Sequence, residues 1–257
     1  KNADINIYIV KDSQIEIHQS DIDLNSLNLE NKAWVKNADI EFYDWSAHSF
    51  YLNKEVDKGQ HSGKHFVITS GRKRLFAGIF FPMYMSSFPS LPTISPEDGF
   101  FSPKDVVRFG HFGFTQPGGL NENINFKAEL IAAGILRQGI EVELENLNRI
   151  NSSTLKYTFC LTNRETDFIY VLDPHKMGDS RFHYFTNGVS LSSGDRHYWP
   201  QNFEATPSES IKSSWYYRLA PGRSITRTVE MSGYSSLPSG KVKATFQFPG
   251  ANLKDKG

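Results

Sequence analysis

The chain has 257 residues, enough for one large or two ordinary domains, since domains average roughly 150 residues. Apolar residues make up 39% and aromatic residues 14% of the sequence, which excludes a disordered or fibrous chain and favours a folded, β-rich protein. The 28 basic and 28 acidic residues cancel, so no overall field attracts phosphate backbones, and nucleic acid is not an expected partner.

Two features that the sequence lacks narrow the possible class of protein further. No apolar run approaches the roughly 20 residues that span a bilayer, and the chain starts at Lys1 without the apolar core of a signal peptide. We therefore expect the chain as given to be soluble, although a removed leader or lipid anchor would not be visible in it. The one cysteine, Cys160, excludes a disulfide within the chain and a cysteine-only zinc site.

The first half predicts a mixed α+β domain. Strands are predicted at six places: 4–10, 14–18, 49–52, 66–69, 74–81 and 106–114. Residues 21–30 follow no regular pattern. Asn37 with Asp39 two residues later is typical of a helix N-cap with acid in the first turn, so a short helix is predicted up to Trp45.

Turn residues connect these elements. Ser70 and Gly71 predict a hairpin between strands 66–69 and 74–81. Five prolines within residues 82–103 forbid a helix or a central strand, so a long ordered loop or crossover is predicted there.

A helix capped by Asn121 or Asn123 ends this half at Gly134. Its apolar residues recur at spacings of four and three: Phe126, Leu130 and Ala133. The domain boundary is predicted directly after it, which gives a mixed α+β domain over 1–137 and a second domain over 138–257.

The second half changes to a period of two. Apolar and polar residues alternate in stretches that predict about eight strands: 140–144, 155–161, 168–172, 181–186, 189–191, 215–219, 224–231 and 242–248. Asn187-Gly188 predicts the turn of a type I′ hairpin between two of them. With turn signals every dozen or so residues and no helix pattern, residues from Gly139 to Phe248 predict an immunoglobulin-like β-sandwich.

Three stretches of this half carry a resemblance: Leu161-Thr162-Asn163, Leu219-Ala220-Pro221-Gly222-Arg223-Ser224, and Ser239-Gly240-Lys241-Val242-Lys243-Ala244-Thr245-Phe246. They resemble the sandwich of the intracellular proteinase inhibitor family and the similar accessory domain of deuterolysin-like metalloendopeptidases. The resemblance implies the sandwich fold, and a proteinase inhibitor is the most specific function that it implies. It assigns no protease-contacting residue.

The first half is similar to a domain of uncharacterised bacterial envelope proteins. The residues that carry this similarity are Asp39-Ile40, Asp44-Trp45, His48, Phe66-Val67-Ile68, Gly78-Ile79-Phe80 and Ser86-Ser87. It implies an exported or lipid-anchored, extracytoplasmic bacterial protein.

Two motifs have the spacing of metal ligands. His61 and His65 are four residues apart, a zinc spacing on a helix, but the glutamate of H-E-x-x-H is missing and Gly63 lies between them, which favours two solvated histidines. Because the sequence has no H-E-x-x-H motif, a deuterolysin-type protease is excluded. Oxygen ligands at positions one, three and five of a calcium loop are Asp21, Asp23 and Asn25, but Ser26 and Lys32 replace the required Gly and Glu. Turn formation is the ordinary explanation, so no metal or cofactor is predicted.

Nucleophile and nucleotide signatures are also weak. Cys160 lies inside a predicted strand, whereas reactive thiolates occupy helix N-termini or electropositive loops, so a structural cysteine is favoured. The sequence has no G-x-S-x-G elbow, Walker A loop or G-x-G-x-x-G fingerprint.

The segment 181–199 is the candidate binding surface because aromatic and Arg-rich loops at the end of a sandwich are typical of binding hot spots. Its candidate residues are Phe182, His183, Tyr184, Arg196, His197, Tyr198 and Trp199. The alternative is that half of these rings belong to the core.

Two functions follow from these observations. The first is a non-enzymatic, exported binding protein with a protein or carbohydrate partner. The rival is a hydrolase or metal enzyme with a site in the interdomain cleft, which would use His48, His111 or the Asp44-Trp45 pair and would need Asp44 and His48 within hydrogen-bond reach.

Overall fold

The computed structural model describes residues 3–11, 22–82, 89–98, 103–110, 120, 123–186, 189–194, 196–201, 211–246 and 248. The described protein is 44% strand and 17% helix. The prediction of a mainly β protein is therefore confirmed. Internal contacts divide the chain into two compact units, Lys1–Arg137 and Gln138–Gly257.

The described part of the first unit is built on one mixed sheet in the order β1-β4-β5-β6-β7-β3-β2-β8. Its strands are β1 Ile5–Ile9, β2 Ile40–Asp44, β3 Ser49–Leu52, β4 His65–Ser70, β5 Lys73–Phe80, β6 Thr93–Ile94, β7 Val106–Gly110 and β8 Leu136–Arg137. The β5–β6 and β2–β8 pairs are parallel and the other pairs are antiparallel.

One helix of this unit, α1 Ile124–Ala133, completes the core of the sheet. The Asn123 side chain accepts a hydrogen bond from the Phe126 N–H at 2.9 Å, and the helix ends at Gly134 with φ of +72°. Phe126 and Leu130 are fully buried, and the Phe126 ring packs edge-on against Phe76 and Tyr43. The predicted helix is therefore confirmed with Asn123 as its cap, while Asn121 lies outside the described residues.

The β4–β5 hairpin is also confirmed, with Gly71 at the turn in the left-handed region. Gly78 lies directly opposite Phe66 in the register. A Cβ at position 78 would lie 2.1 Å from the Phe66 ring and 2.5 Å from the Pro92 carbonyl oxygen. Only a residue without a side chain fits here, because the phenyl ring lies over the backbone of the neighbouring strand.

The predicted helix up to Trp45 is wrong. A single 3₁₀ turn, Asn37–Asp39, leads directly into β2. The Asn37 side chain does not cap a helix, because its Oδ1 accepts a hydrogen bond from the Ile5 N–H at 3.1 Å. Phe42 and Tyr43 instead pair with β3, where aromatic side chains pack well.

The proline-rich stretch 82–103 contains the short strand β6, which pairs with β5 on one side and β7 on the other, so the expectation of no central strand there is wrong. The buried Lys58 holds the later part of this stretch. Its Nζ donates to the carbonyl oxygens of Pro103 at 2.8 Å and Val106 at 3.2 Å, and lies 3.2 Å from an Asp98 carboxylate oxygen. The predicted strand 14–18 and the end of the predicted strand 106–114 lie outside the described residues.

The described part of the second unit has three sheets, in the orders β15-β10-β9, β11-β14 and β13-β12-β16. Its strands are β9 Ile140–Arg149, β10 Leu155–Asn163, β11 Ile169–Leu172, β12 Val189–Ser193, β13 Arg196–Tyr198, β14 Tyr216–Leu219, β15 Ser224–Met231 and β16 Lys243–Phe246. Its helices are α2 Pro174–Met177 and α3 Asp179–Thr186.

The inward face of β10 forms the core of this unit. Its alternate residues Leu155, Tyr157, Phe159 and Leu161 are at most 3% exposed. The Phe159 ring centroid lies 4.8 Å from that of Phe246 on β16, so the sheets that contain β10 and β16 pack against each other through aromatic side chains.

The strand predicted at 181–186 is wrong, because this segment is helix α3. Asp173 caps α2 through a hydrogen bond from the His175 N–H at 3.1 Å, Pro174 occupies the first turn, and Gly178 follows with φ of +88°. The Asp179 carboxylate then accepts a hydrogen bond from the Glu230 N–H of β15 at 2.7 Å. The second unit therefore contains helices between β11 and β12, and the expectation of strands without helices is wrong there.

Candidate ligand-binding surface

The outward side of the β13-β12-β16 sheet forms the candidate surface. Val189 and Leu191 of β12 are buried, so Ser190 and Ser192 point away from the core. His197 of β13 and Lys243 of β16 both lie opposite Ser192 and share its side of the sheet. We call His197, Trp199, Ser190, Ser192, Lys243 and Thr245 the Trp199 surface. Arg196 lies opposite Ser193 and alternates with His197, so it is on the other side of β13.

The main aromatic residue of this surface is Trp199, which is 52% exposed. Its ring is nearly parallel to that of His197, with centroids 6.2 Å apart and an interplanar angle of 20°. The backbone is fixed directly after it, since Pro200 pairs with Tyr234 and the Gln201 N–H donates to the Gly233 carbonyl at 3.0 Å. The exposed indole is therefore held by a defined backbone.

The three strands under this surface carry charges of one sign. They read VSLSS, RHY and KATF, with Arg196 and Lys243 as their basic residues and no acidic residue. Lys243 is exposed and lies on the outward side, whereas Arg196 does not share that side. The surface therefore combines two aromatic rings, a lysine and several hydroxyl groups.

The structure divides the seven predicted binding residues into two groups. Arg196, His197, Tyr198 and Trp199 come together on and after β13, with Tyr198 half-buried opposite Leu191. The other three lie on α3: Phe182, His183 and Tyr184.

The α3 residues do not contribute to the surface, because the helix turns its rings into the core. Phe182 is fully buried and its ring is stacked on Phe159 at 5.6 Å and 5°. His183 is 4% exposed, and burial lowers its pKa to about 4. Phe182 and His183 are therefore corrected to core residues, and Tyr184 is half-buried beside Phe185.

The Asp44 to His48 turn, which the enzyme hypothesis uses, joins β2 to β3. The Asp44 Oδ1 accepts hydrogen bonds from the Ser46 N–H at 2.9 Å, the Ser46 hydroxyl at 2.6 Å and the Ala47 N–H at 3.2 Å. Burial raises the pKa of Asp44, although these hydrogen bonds act to lower it. The carboxylate oxygen that accepts them is thus used to build the turn.

His48 lies at the end of that turn with φ of +47°, a backbone conformation that non-glycine residues rarely adopt. Its Nδ1 is 3.0 Å from the Tyr43 hydroxyl oxygen. Trp45 is covered by the Lys127 ammonium at 4.8 Å from its ring centroid. His111 lies outside the described residues.

The two predicted solvated histidines are in fact buried, so that interpretation is wrong. His61 is 8% exposed and packs edge-on against Trp34, with centroids 5.4 Å apart, while His65 lies on β4 at 2% exposure. Burial lowers the pKa of both. Within the described residues, no group of three or more His, Cys, Asp or Glu side chains is arranged to hold a metal ion.

The remaining candidates have structural positions. Asp23 accepts a hydrogen bond from the Asn25 N–H at 3.0 Å and caps the 3₁₀ turn Leu24–Ser26, while Asp21 lies outside the described residues. Cys160 is half-buried on β10, with its sulfur 4.0 Å from the Thr162 hydroxyl.

Sequence reasoning missed an ion pair inside the second unit. The Arg227 guanidinium of β15 donates to both carboxylate oxygens of Asp173, at 2.7 and 2.9 Å. Burial alone would raise the pKa of Asp173, but Arg227 and the His175 N–H outweigh it and lower that pKa. The pair holds the N-terminus of α2 against β15. The Asp173-Pro174 sequence is a helix-start signal that predicts this cap.

Asn163, part of the motif that carries the resemblance, is a buried hydrogen-bond centre. Its side-chain amide donates to the carbonyls of Asp167 at 2.8 Å and Leu219 at 3.0 Å, and its side-chain oxygen accepts from the Glu165 N–H at 2.8 Å. The two motif stretches around Asn163 and Leu219 are therefore in direct contact.

Among the residues that the structure describes, no helix combines the length and apolar character that crossing a membrane requires. Comparison with protein-family models, with curated proteins and with solved structures finds no match to this chain. The geometry of its own residues is therefore the basis for a proposed function.

Proposed function

We propose that the protein is a non-enzymatic binding protein that contacts its partner through the Trp199 surface. The observation that carries the proposal is the exposure of Trp199, a large ring that is 52% exposed on a fixed backbone beside His197. Tryptophan is among the residues most enriched in binding hot spots.

The surroundings of Trp199 support a binding role over a packing role. Single exposed apolar residues are common on protein surfaces, but this ring lies beside the exposed His197 ring, on a side of the sheet that also carries the exposed Lys243. Phe168 offers a contrast within the same unit. It is 45% exposed, but the Arg218 guanidinium already covers its ring at 3.6 Å.

We also propose that the second unit is an immunoglobulin-like sandwich with α2 and α3 inserted between β11 and β12. The order β15-β10-β9 supports this proposal, since β10 lies between its predecessor and a strand that comes much later in the chain. The aromatic contact of β10 with β16 supports a second layer. The sandwich would then be a scaffold that presents the surface on its β12–β13 hairpin.

A ligand screen with two matched variants tests the binding role. The purified chain is screened against immobilised polysaccharides, an extended-peptide library and a panel of serine and metalloproteinases, the last of which also tests the inhibitor role. Trp199→Ala is expected to weaken the best interaction by about 2 kcal/mol, roughly thirtyfold in Kd. Phe168→Ala removes an exposed ring elsewhere in the unit and is expected to leave Kd unchanged.

Two results would contradict the proposal. One is a ligand whose Kd is the same for the wild type and Trp199→Ala. The other is an equal loss of affinity in both variants, because this would indicate a general effect on the fold. Since Trp199 is half-exposed, its replacement is expected to lower the free energy of unfolding by about 1 kcal/mol or less, which denaturant unfolding checks.

A further inference from the structure

We infer that the Trp199 surface takes an acidic polysaccharide, a polymer of sugars that carry carboxylate groups. This inference rests on the proposed function and specifies its ligand class. It is drawn from three properties of the same sheet face: its charge, its hydroxyl groups and its exposed rings.

The charge of this face is positive among the described residues. Lys243 has no ion-pair partner within them, and Lys241, two residues before it, is exposed as well. An anionic ligand would be held by charge-assisted hydrogen bonds from these ammonium groups.

The outward face of the β15-β10-β9 sheet in the same unit has a different charge pattern. There, Lys156 lies directly opposite Glu230, and Arg164 forms an ion pair with Glu141. Among the described residues, cations are thus matched by acids on this sheet face, whereas Lys243 on the face of the β13-β12-β16 sheet is not.

Hydroxyl groups lie between the cations and the rings. Ser192 lies between Lys243 and His197 in a row across three strands, which spans about 10 Å at the usual strand spacing. Ser190 lies opposite Thr245 in a neighbouring row. The hydroxyl groups of Ser190, Ser192 and Thr245 have no partner among the described residues. Each hydroxyl can both donate and accept, which matches the hydroxyl groups of a sugar.

The rings favour a sugar over an acidic peptide. The negative face of an indole attracts polarised C–H groups, and a sugar ring presents several of these on one side. Strand addition, one mode of peptide recognition, uses main-chain hydrogen bonds along a sheet edge, and the edge strands β13 and β16 have only three and four residues. The combination of ring, hydroxyl and cation therefore indicates a carboxylated sugar polymer.

Comparing three polymers separates the contribution of the negative charge from that of the sugar. Binding of the full chain is measured by affinity electrophoresis and calorimetry against polygalacturonate, against dextran as a neutral polysaccharide, and against poly-L-glutamate as an acidic peptide. We expect polygalacturonate to bind best, about thirtyfold more weakly to Trp199→Ala and about threefold more weakly to Lys243→Ala. The controls Phe168→Ala and Lys156→Ala are expected to bind as the wild type does.

The outcomes separate the inference from the proposed function. If poly-L-glutamate binds as tightly as polygalacturonate, charge alone explains the binding and the inference is overturned. If dextran binds as tightly as polygalacturonate and its binding depends on Trp199, the preference for an anionic polymer is overturned. Trp199-dependent binding of a peptide or protein in the screen, with no polysaccharide bound, would overturn the inference and leave the proposed function in place. Binding of polygalacturonate that is independent of Trp199 would overturn both.

Discussion

His183 makes the stability of the second unit depend on pH. Its side chain is 4% exposed inside α3, and burial lowers its pKa from an ordinary value of about 6.5 to about 4. Because the folded state holds the imidazole neutral, the unfolded state binds more protons between these two values. The contribution to stability is therefore present above pH 6.5 and is lost as the pH falls towards 4.

The magnitude follows from the two pKa values. Between pH 7 and pH 5 the shift corresponds to a loss of about 2 kcal/mol in the free energy of unfolding, at about 1.4 kcal/mol per pKa unit. His61 and His65, whose pKa values burial also lowers, change the stability of the first unit in the same direction.

Urea unfolding at pH 7 and pH 5 measures this loss, with the transition of the second unit followed by near-ultraviolet circular dichroism. His183→Gln is expected to lower stability at pH 7 but to reduce the loss between the two pH values by about 2 kcal/mol. Leu172→Ala, a core substitution without a titrating group, is expected to lower stability equally at both pH values. An unchanged loss in His183→Gln would refute the assignment to His183.

Substitutions at three further positions test the fold by denaturant unfolding. Gly78→Ala places a Cβ 2.1 Å from the Phe66 ring and is expected to destabilise the fold by about 2 to 3 kcal/mol. In the control Gly59→Ala, the nearest atom to the new Cβ would lie at 3.4 Å, so little loss of stability is expected. Equal effects of the two substitutions would contradict the close approach at Gly78. Asn163→Ala removes three hydrogen bonds to backbone groups, one of them buried, and is expected to destabilise by about 3 kcal/mol. Thr158→Ala breaks one hydroxyl pair and should cost less, and the opposite order would be inconsistent with the hydrogen-bond centre. His48→Ala and His48→Gly both lose the hydrogen bond to Tyr43, but glycine adopts the φ of +47° without strain. The alanine variant is therefore expected to be less stable than the glycine variant by about 1 kcal/mol. Identical stabilities would show that the turn is not strained.

Strands with one buried face were predictable from the sequence. In β10 the residues that alternate in the sequence alternate between core and surface in the structure, because a pleated strand turns successive side chains to opposite sides. Helix α1 was predictable for a similar reason: Asn123, Phe126, Leu130 and Gly134 give its start, its buried face and its end.

The elements that were predicted wrongly depend on contacts distant in sequence. Asn37 is a common N-cap residue, but its side chain binds the backbone of Ile5, 32 residues away. In α3, aromatic residues occupy positions 182, 184 and 185, so the pattern fits neither period clearly. The start signal Asp173-Pro174 and the terminating Gly178 were visible, but they bound a helix of four residues, and the hydrogen bond from Glu230 to Asp179 fixes the next helix through a distant strand.

The composition of the Trp199 surface is set by strand register, which the residue types alone do not determine. Gly194 in the left-handed conformation forms the turn of the β12–β13 hairpin, and Ser193 lies opposite Arg196 as a result. A shift of β13 by one residue would turn His197 and Trp199 towards the core and expose Tyr198, because successive side chains of a strand face opposite sides. The observed register is favoured because it places Tyr198 opposite the buried Leu191. The apolar contact on the inner side of the hairpin therefore determines which rings are presented on its outer side.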